Sequence, residues 1–273
     1  MTPRRWLALI PALLVIACAL VGPSLTVAST TTPVGGPFQP PSGAAVLGTE
    51  LLGRDALARV LAGGRTLIVQ ALAATVLGSM IGMTIVVWAG TAHRSRAAAI
   101  VTRVVDGIAA LPALLLLLLL AAGFPSSDIV VAIAIAVVGL PFSVRVIRER
   151  SRSLAATDYA RHAHLRGDPW VARVRFDILP GVLPVALAEA GIRFVAATQM
   201  AATAGFLGLG AGAPVANWGR MVRENSVGLD RNPLPVLVPA LALVMLAVTV
   251  TALIDRVSVT SPTVSTNRRG GSR

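Results

Sequence analysis

Apolar residues in this chain fall into long blocks, separated by short polar joints or by segments rich in glycine and proline. Six blocks stand out: Trp6–Val27, Thr66–Gly90, Val104–Ala122, Ile129–Ile147, Val182–Leu207 and Leu234–Ile254. A helix needs about 20 apolar residues to cross a hydrocarbon core about 30 Å thick, and each block reaches roughly that length. The consecutive leucines Leu114–Leu120 leave no polar face, so that block cannot be an amphipathic surface helix. The pattern predicts an all-α membrane protein with six transmembrane helices. Pro112, Pro141, Pro184 and Pro239 lie inside blocks. Lipid tolerates such kinks where neighbouring helices, hydroxyls or water satisfy the freed carbonyls, which suits either a bundle around a pathway or ordinary bent spans.

Composition agrees with the blocks. Charged residues make up 13% of the 273 and the mean hydropathy is +0.77, whereas an ordinary soluble domain carries roughly a quarter charged residues. All 24 basic residues are Arg, against 12 acids. Without Lys the chain holds neither a Walker phosphate loop nor a Schiff-base amine. Cys18 is the single cysteine, which excludes an internal disulfide and any multi-cysteine metal site. The arginines are distributed unevenly: seventeen fall on one side of the six blocks, six on the other, and Arg193 inside a block. Cytoplasmic loops retain positive charge, so both termini are expected in the cytoplasm, and retention rather than nucleic-acid binding accounts for the net charge of +12. Arg4 and Arg5 ahead of an apolar run, with Val15-Ile16-Ala17-Cys18 resembling a lipoprotein cleavage box, offer a cleaved leader as the alternative to a first span. The organisation expected is an N-terminal transmembrane helix over 1–28, an extracytoplasmic segment over 29–65, a five-span core over 66–256 and a cytoplasmic tail over 257–273.

After an irregular connection over 29–42, the segment from Leu47 to Arg65 carries Gly48, Thr49, Gly53, Arg54, Asp55 and Arg59. Thr49 suits a helix cap, Asp55 precedes Arg59 by four residues, and Leu52, Ala56, Leu57, Val60 and Leu61 share a face, which predicts a short amphipathic helix on the outer membrane surface. Leu-Gly-Thr-acid-x-x-Gly-Arg-Asp, then Arg, then Gly-x-Arg before a span resembles the start of the C-type subunit in the peptide/nickel class of ABC importer permeases. The bland alternative is that Arg54 and Asp55 are merely solvated. The family's usual His ahead of the motif is missing, with Ala44 and Ala45 in that region.

The longest inner segment, 148–180, carries a second resemblance. Helical spacing over 148–166 is followed by Gly167-Asp168-Pro169-Trp170, residues that end one helix, cap the next and fit its first turn. A helix-turn-helix results, without the base-reading Asn or Gln of a DNA-binding one. It resembles the coupling loop of ABC importer permeases, Glu-Ala-Ala, three residues, Gly, then a closing Ile-Leu-Pro. Here Tyr159, Ala160, Arg161, His162 and Ala163 precede Gly167, and Ile178-Leu179-Pro180 closes it. The departure is Arg161-His162-Ala163, which reverses a charge. The partner ATPase then carries a compensating acid, or coupling is weakened. His162 and His164 lie on different helix faces, which argues against a joint metal site.

Further along, Asp106 to Pro112 resembles the start of the family's third span. Phe206-Leu207-Gly208-Leu209-Gly210, Pro214, Asn217-Trp218-Gly219 and Met221 resemble the segment after its fifth, with Ala201 where members often carry an acid. The resemblance covers about residues 44–256. It implies a type I ABC importer permease bundle in the bacterial cytoplasmic membrane that translocates dipeptides or oligopeptides. It also implies a B-type permease partner, two ATP-binding subunits and an extracytoplasmic substrate-binding protein, with MgATP on the partner ATPases and no cofactor or enzymatic activity in this chain. Nickel or its chelates are the nearest alternative cargo. An ion-gradient-driven secondary transporter is the alternative of another class, but no internal inverted repeat is visible.

Within the fifth block Glu189 and Arg193 sit four apart, Glu first, the favourable order for a helical pair. An intramembrane charge costs about 2.5–3.5 kcal/mol on insertion scales, so the pair faces protein or water. Arg193 either attracts the carboxylate of a passing peptide or completes a structural pair. Gln199 and Met200 read as packing residues.

Overall fold

A computed structural model describes residues 10–25, 30–91, 96–124, 126–155, 157, 169 and 172–260. Among the described residues, α-helices run in the order α1 (Ile10–Leu25), α2 (Ala56–Thr91), α3 (Arg96–Ala110), α4 (Ala113–Ala122), α5 (Asp128–Ala155), α6 (Leu179–Phe206), α7 (Trp218–Asn225) and α8 (Leu234–Thr260). Among the described residues β structure is limited to one isolated bridge, Thr49 with Asp55. Among the described residues four helices are long and apolar enough to cross a membrane, α2, α5, α6 and α8, and a fifth span results if α3 and α4 count together. The described part of α1 has 16 residues, and the block Trp6–Val27 extends beyond it at both ends.

Two elements depart from the pattern-based expectation. The surface helix proposed around residues 49–61 is not separate: α2 starts at Ala56 and continues unbroken for 36 residues through the boundary drawn at residue 65. Gly63 and Gly64 do not stop it, because they are the notch against which Trp218 packs; a Cβ on Gly64 would lie 2.4 Å from Trp218 Cζ2. The third block is not one continuous helix either. The chain turns by 102° between α3 and α4, at Leu111 and Pro112. Proline disfavours the helical region for the residue before it and has no N–H to continue the ladder, so α3 ends and α4 starts afresh.

Pro141, Pro184 and Pro239 are accommodated inside α5, α6 and α8. Pro180 acts differently. It cannot donate to the carbonyl of Phe176, and the ladder just before it is π-helical over Arg173–Ile178, the N–H of Leu179 reaching Val174 O.

Helices pack closely because small side chains line the contacts. Ala71 and Ala74 of α2, Ala134 of α5 and Ala197 and Ala201 of α6 are buried in one core, with Leu67, Leu117, Trp218 and Leu246. A second cluster, Val86, Val105, Leu140, Val144, Ile147, Val182 and Ala186, fills the other end. The N-terminal ends of α2, α5 and α8 meet the C-terminal end of α6 under a cap formed by residues 30–55 and 207–233.

Candidate functional sites

The cap is built on buried polar groups. Glu50, 1% exposed, accepts from Arg54 Nε through Oε1 and from Arg59 Nε through Oε2 at 3.0 Å. Arg59 is fully buried, donates through Nη1 to the Pro214 carbonyl at 2.8 Å, and faces Glu224 at 3.7 Å. Arg54 and Asp55 are therefore buried, not solvated. Asp55 rather than Thr49 caps α2, accepting from the N–H of Leu57 at 2.9 Å. Arg59 pairs with Glu50 rather than Asp55. Thr49 ties the preceding turn together, its hydroxyl donating to Gly36 O and accepting from the N–H of Gln39, each at 2.7 Å. Gly48 and Gly53 take φ of +72° there, and a Cβ on Gly53 would meet Gly35 O at 2.1 Å.

The segment after α6 is held to this cluster from several sides. Arg220 donates to the carbonyls of Ala211 and Leu209. Asp128 Oδ1, at the start of α5, accepts from Ala211 N at 2.8 Å and from Gln70 Nε2 of α2 at 2.9 Å. Asn217 caps α7 through Gly219 N, and Trp218 Nε1 donates to Val60 O at 2.6 Å. Asn225 Oδ1 accepts from Leu51 N, while Asn232 donates to the carbonyls of Gln39 and Leu47. A loop with two left-handed glycines, Gly208 and Gly210, is thereby fixed from beneath, with Gly212, Ala213 and Pro214 exposed at its tip.

Inside the bundle, Glu189 and Arg193 form the pair expected from their spacing. Arg193 donates from Nε and Nη2 to Glu189 Oε1 at 3.0 and 2.5 Å, and Ser143 of α5 donates to Oε2 at 2.9 Å. Arg193 is 7% exposed and lies against Gly139, where a Cβ would come within 2.2 Å of Nη1, with Gly78 of α2 nearby. Nη1 itself is buried without a hydrogen-bond partner among the described residues. Met200 packs on the core, but Gln199 is exposed, contrary to the packing role expected for it.

Of the inner segment, Tyr159, Arg161, His162, Ala163, Gly167 and Asp168 lie outside the described residues. The closing triplet Ile178, Leu179 and Pro180 sits where the π-helical turn passes into α6. It forms a neck with the end of α5: Gly181 packs on Leu154, a Cβ there falling 2.7 Å from Cδ1, and its carbonyl accepts from Arg150 Nε at 3.2 Å.

The sequence reading missed Glu50 as the centre of the cap, and with it Gln70, Asp128, Arg220 and Glu224. Glu50 was visible only as the acid of the motif. The others needed partners brought together by folding.

The described residues form a bundle of long apolar helices with a hydrogen-bonded cap at one end. Residues 74–259 match the family described as binding-protein-dependent transport system inner membrane component, and the chain belongs to that family. It is 36% identical over 183 residues to the probable D,D-dipeptide transport system permease protein DdpC of Escherichia coli, an alignment covering 67% of this chain and 61% of that protein. It is 32% identical over 232 residues to the dipeptide transport system permease protein DppC of Alkalihalophilus pseudofirmus, covering 84% and 76%. The chain thus spans about three fifths of the first relative and three quarters of the second. Among solved structures, the MetNI methionine ABC transporter in an inward-facing crystal form shares the fold with a TM-score of 0.58 at 18% identity, over 72% of this chain and 94% of that one.

Proposed function

We propose that this chain is the C-type permease subunit of an ATP-driven importer of dipeptides or oligopeptides in the bacterial cytoplasmic membrane, with both termini inside. The observation that carries the reading is the family match over residues 74–259, joined to relatives whose names specify dipeptide transport. A second, B-type permease would complete the pathway. Two ATPase subunits would bind MgATP and hydrolyse it, and an extracytoplasmic binding protein would deliver the peptide.

In this reading the segment between Ala155 and Ile178, with Tyr159, Arg161, His162, Ala163, Gly167 and Asp168, docks on an ATPase. Its displacement would reach the spans through the neck of Leu154, Gly181 and Pro180, because α5 and α6 are in contact there. Gly48, Thr49, Gly53, Arg54, Asp55 and Arg59 would serve delivery indirectly, by keeping the cap rigid. Glu189 and Arg193 would hold α6 against α5 and α2, leaving Arg193 Nη1 available to an anionic group if the helices part. An Arg193→Gln variant should then import free-carboxylate peptides less well relative to amidated ones, and unchanged discrimination would remove that role.

Purification of the tagged chain from its native membrane tests the main reading. An ATPase should accompany it, and vanadate should abolish peptide uptake. Absence of the ATPase together with vanadate-insensitive uptake would overturn it.

A further inference from the structure

We propose that one face of α6 lines an aqueous substrate pathway and that Gln199 on it is a specificity-determining residue that reads the backbone amides of the passing peptide. The nature of the cargo rests on the function proposed above; the pathway itself rests on the following geometry.

Among the four long apolar helices described, α6 and α8 are the least covered by their own chain, with 17% and 22% of their most apolar windows buried against 50% for α5, so what their exposed faces carry distinguishes them. Ala197, Ala201 and Ala204 face the core. Ala188, Ile192, Ala196 and Gln199, spaced three or four residues apart on the opposite face, are exposed. Gln199 lies seven residues before the end of α6 at Phe206, about 10 Å along the axis and well inside the apolar block.

Lipid is a poor neighbour for that face. Exposed hydroxyls elsewhere on the spans are closed internally, Thr84 donating to Met80 O at 2.8 Å and Thr251 to Ala247 O at 2.9 Å. A glutamine amide has two N–H donors and a carbonyl to satisfy, and the Gln199 side chain makes no hydrogen bond to the described residues. Such a group is disfavoured in hydrocarbon. The exposed side of α8 shows what a lipid-compatible surface looks like in this protein, with Leu237, Leu241, Val244 and Val248 and no polar group among them.

Water or a peptide suits Gln199 instead. Its amide offers a donor and an acceptor, the same complement as a peptide bond. Ala196, one turn before it, leaves room beside it. The face continues through Phe206 and Leu207, both exposed, into the clamped loop at the cap, so a substrate released there would meet Gln199 early.

Thiol accessibility in the fully assembled transporter tests this. In a Cys18→Ser background, Gln199→Cys and Ala196→Cys are treated with a membrane-impermeant cationic methanethiosulfonate, with Leu241→Cys on α8 as the lipid-facing control. We expect both α6 thiols to react at least about tenfold faster than Leu241→Cys, and trialanine with its binding protein and MgATP to slow Gln199→Cys several-fold. Reaction no faster than the control in a transporter that still imports would overturn the pathway, as would rapid oxidative cross-linking of Gln199→Cys to the partner permease, which would make this face a helix seam. Fast reaction without protection by trialanine overturns the peptide contact. Absence of peptide uptake by the unmodified transporter, with fast α6 labelling, would remove the peptide-import reading while leaving the pathway standing.

Discussion

In the cap, Arg54 pairs with Glu50, Arg59 pairs with Glu50 and Glu224 and donates to Pro214 O, and Arg220 donates to the carbonyls of Leu209 and Ala211, whereas Arg193 within α6 has one carboxylate. Arg59 Nη2 and Arg193 Nη1 are both buried without a hydrogen bond among the described residues, but Arg59 Nη2 lies 3.7 Å from the Glu224 carboxylate. The difference follows from backbone chemistry. Irregular chain over 30–55 and 207–217 has free carbonyls to offer a guanidinium. Within the spans almost every carbonyl is already taken by its own helix. An arginine there depends on side chains alone, and the two it has, Glu189 and through it Ser143, satisfy only one side of its fork. The cap arginines are held from several sides, the free Nη2 of Arg59 facing Glu224, whereas the free Nη1 of Arg193 lies against Gly139 and Gly78.

The contrast can be broken most severely at Glu50. Glu50→Ala strips the carboxylate from two buried arginines, and should cost at least the ~3–5 kcal/mol typical of removing one partner of a buried pair. The check is thermal unfolding of the purified complex in detergent, where assembly itself should largely fail; a small shift would mean that Pro214 O and Glu224 alone sustain Arg59. Glu189→Gln should cost less, about 2–4 kcal/mol, because the remaining amide still accepts a hydrogen bond. Adding Arg193→Met should recover most of that loss, since no charge is then left buried. A double-mutant cycle measures the recovery, and purely additive losses would contradict the pairing.

Smaller effects test how the cap is fastened to the spans. Gly64→Val drives side-chain atoms into the Trp218 indole and should destabilise by about 1–3 kcal/mol. Trp218→Phe keeps most of the ring but loses the bond to Val60 O, for about 0.5–1.5 kcal/mol. Proteolytic clipping of the loop around Gly212 reports on both variants, and should rise in the same order as the loss of stability.

Much of this was legible along the chain. The apolar blocks Thr66–Gly90, Ile129–Ile147 and Leu234–Ile254 lie within helices, and Val182–Leu207 does so up to Phe206, because a long apolar run in lipid has no other way to satisfy its backbone. The Glu189–Arg193 pair was equally readable, being one turn of one helix. Asp55 was misjudged as a partner for Arg59 because spacing alone could not reveal that Glu50, nine residues before Arg59, folds back onto the same side chain. Hydropathy over the block Val104–Ala122 did not show the 102° turn near Pro112, because hydropathy is blind to direction.

What the sequence determined by itself, then, is whatever repeats within one helical turn or one apolar block: the spans, the intrahelical pair, the family motifs and the side favoured by arginine. The tertiary structure decided which distant groups meet. Asp128 joins Gln70 to Ala211, Glu224 approaches Arg59, and Trp218 fills the notch at Gly64. It also decided that Gln199 faces outward, since packing fixed which side of α6 the alanines bury. Periodicity marks the sides of a helix, but only the neighbours that close on it determine which side is covered.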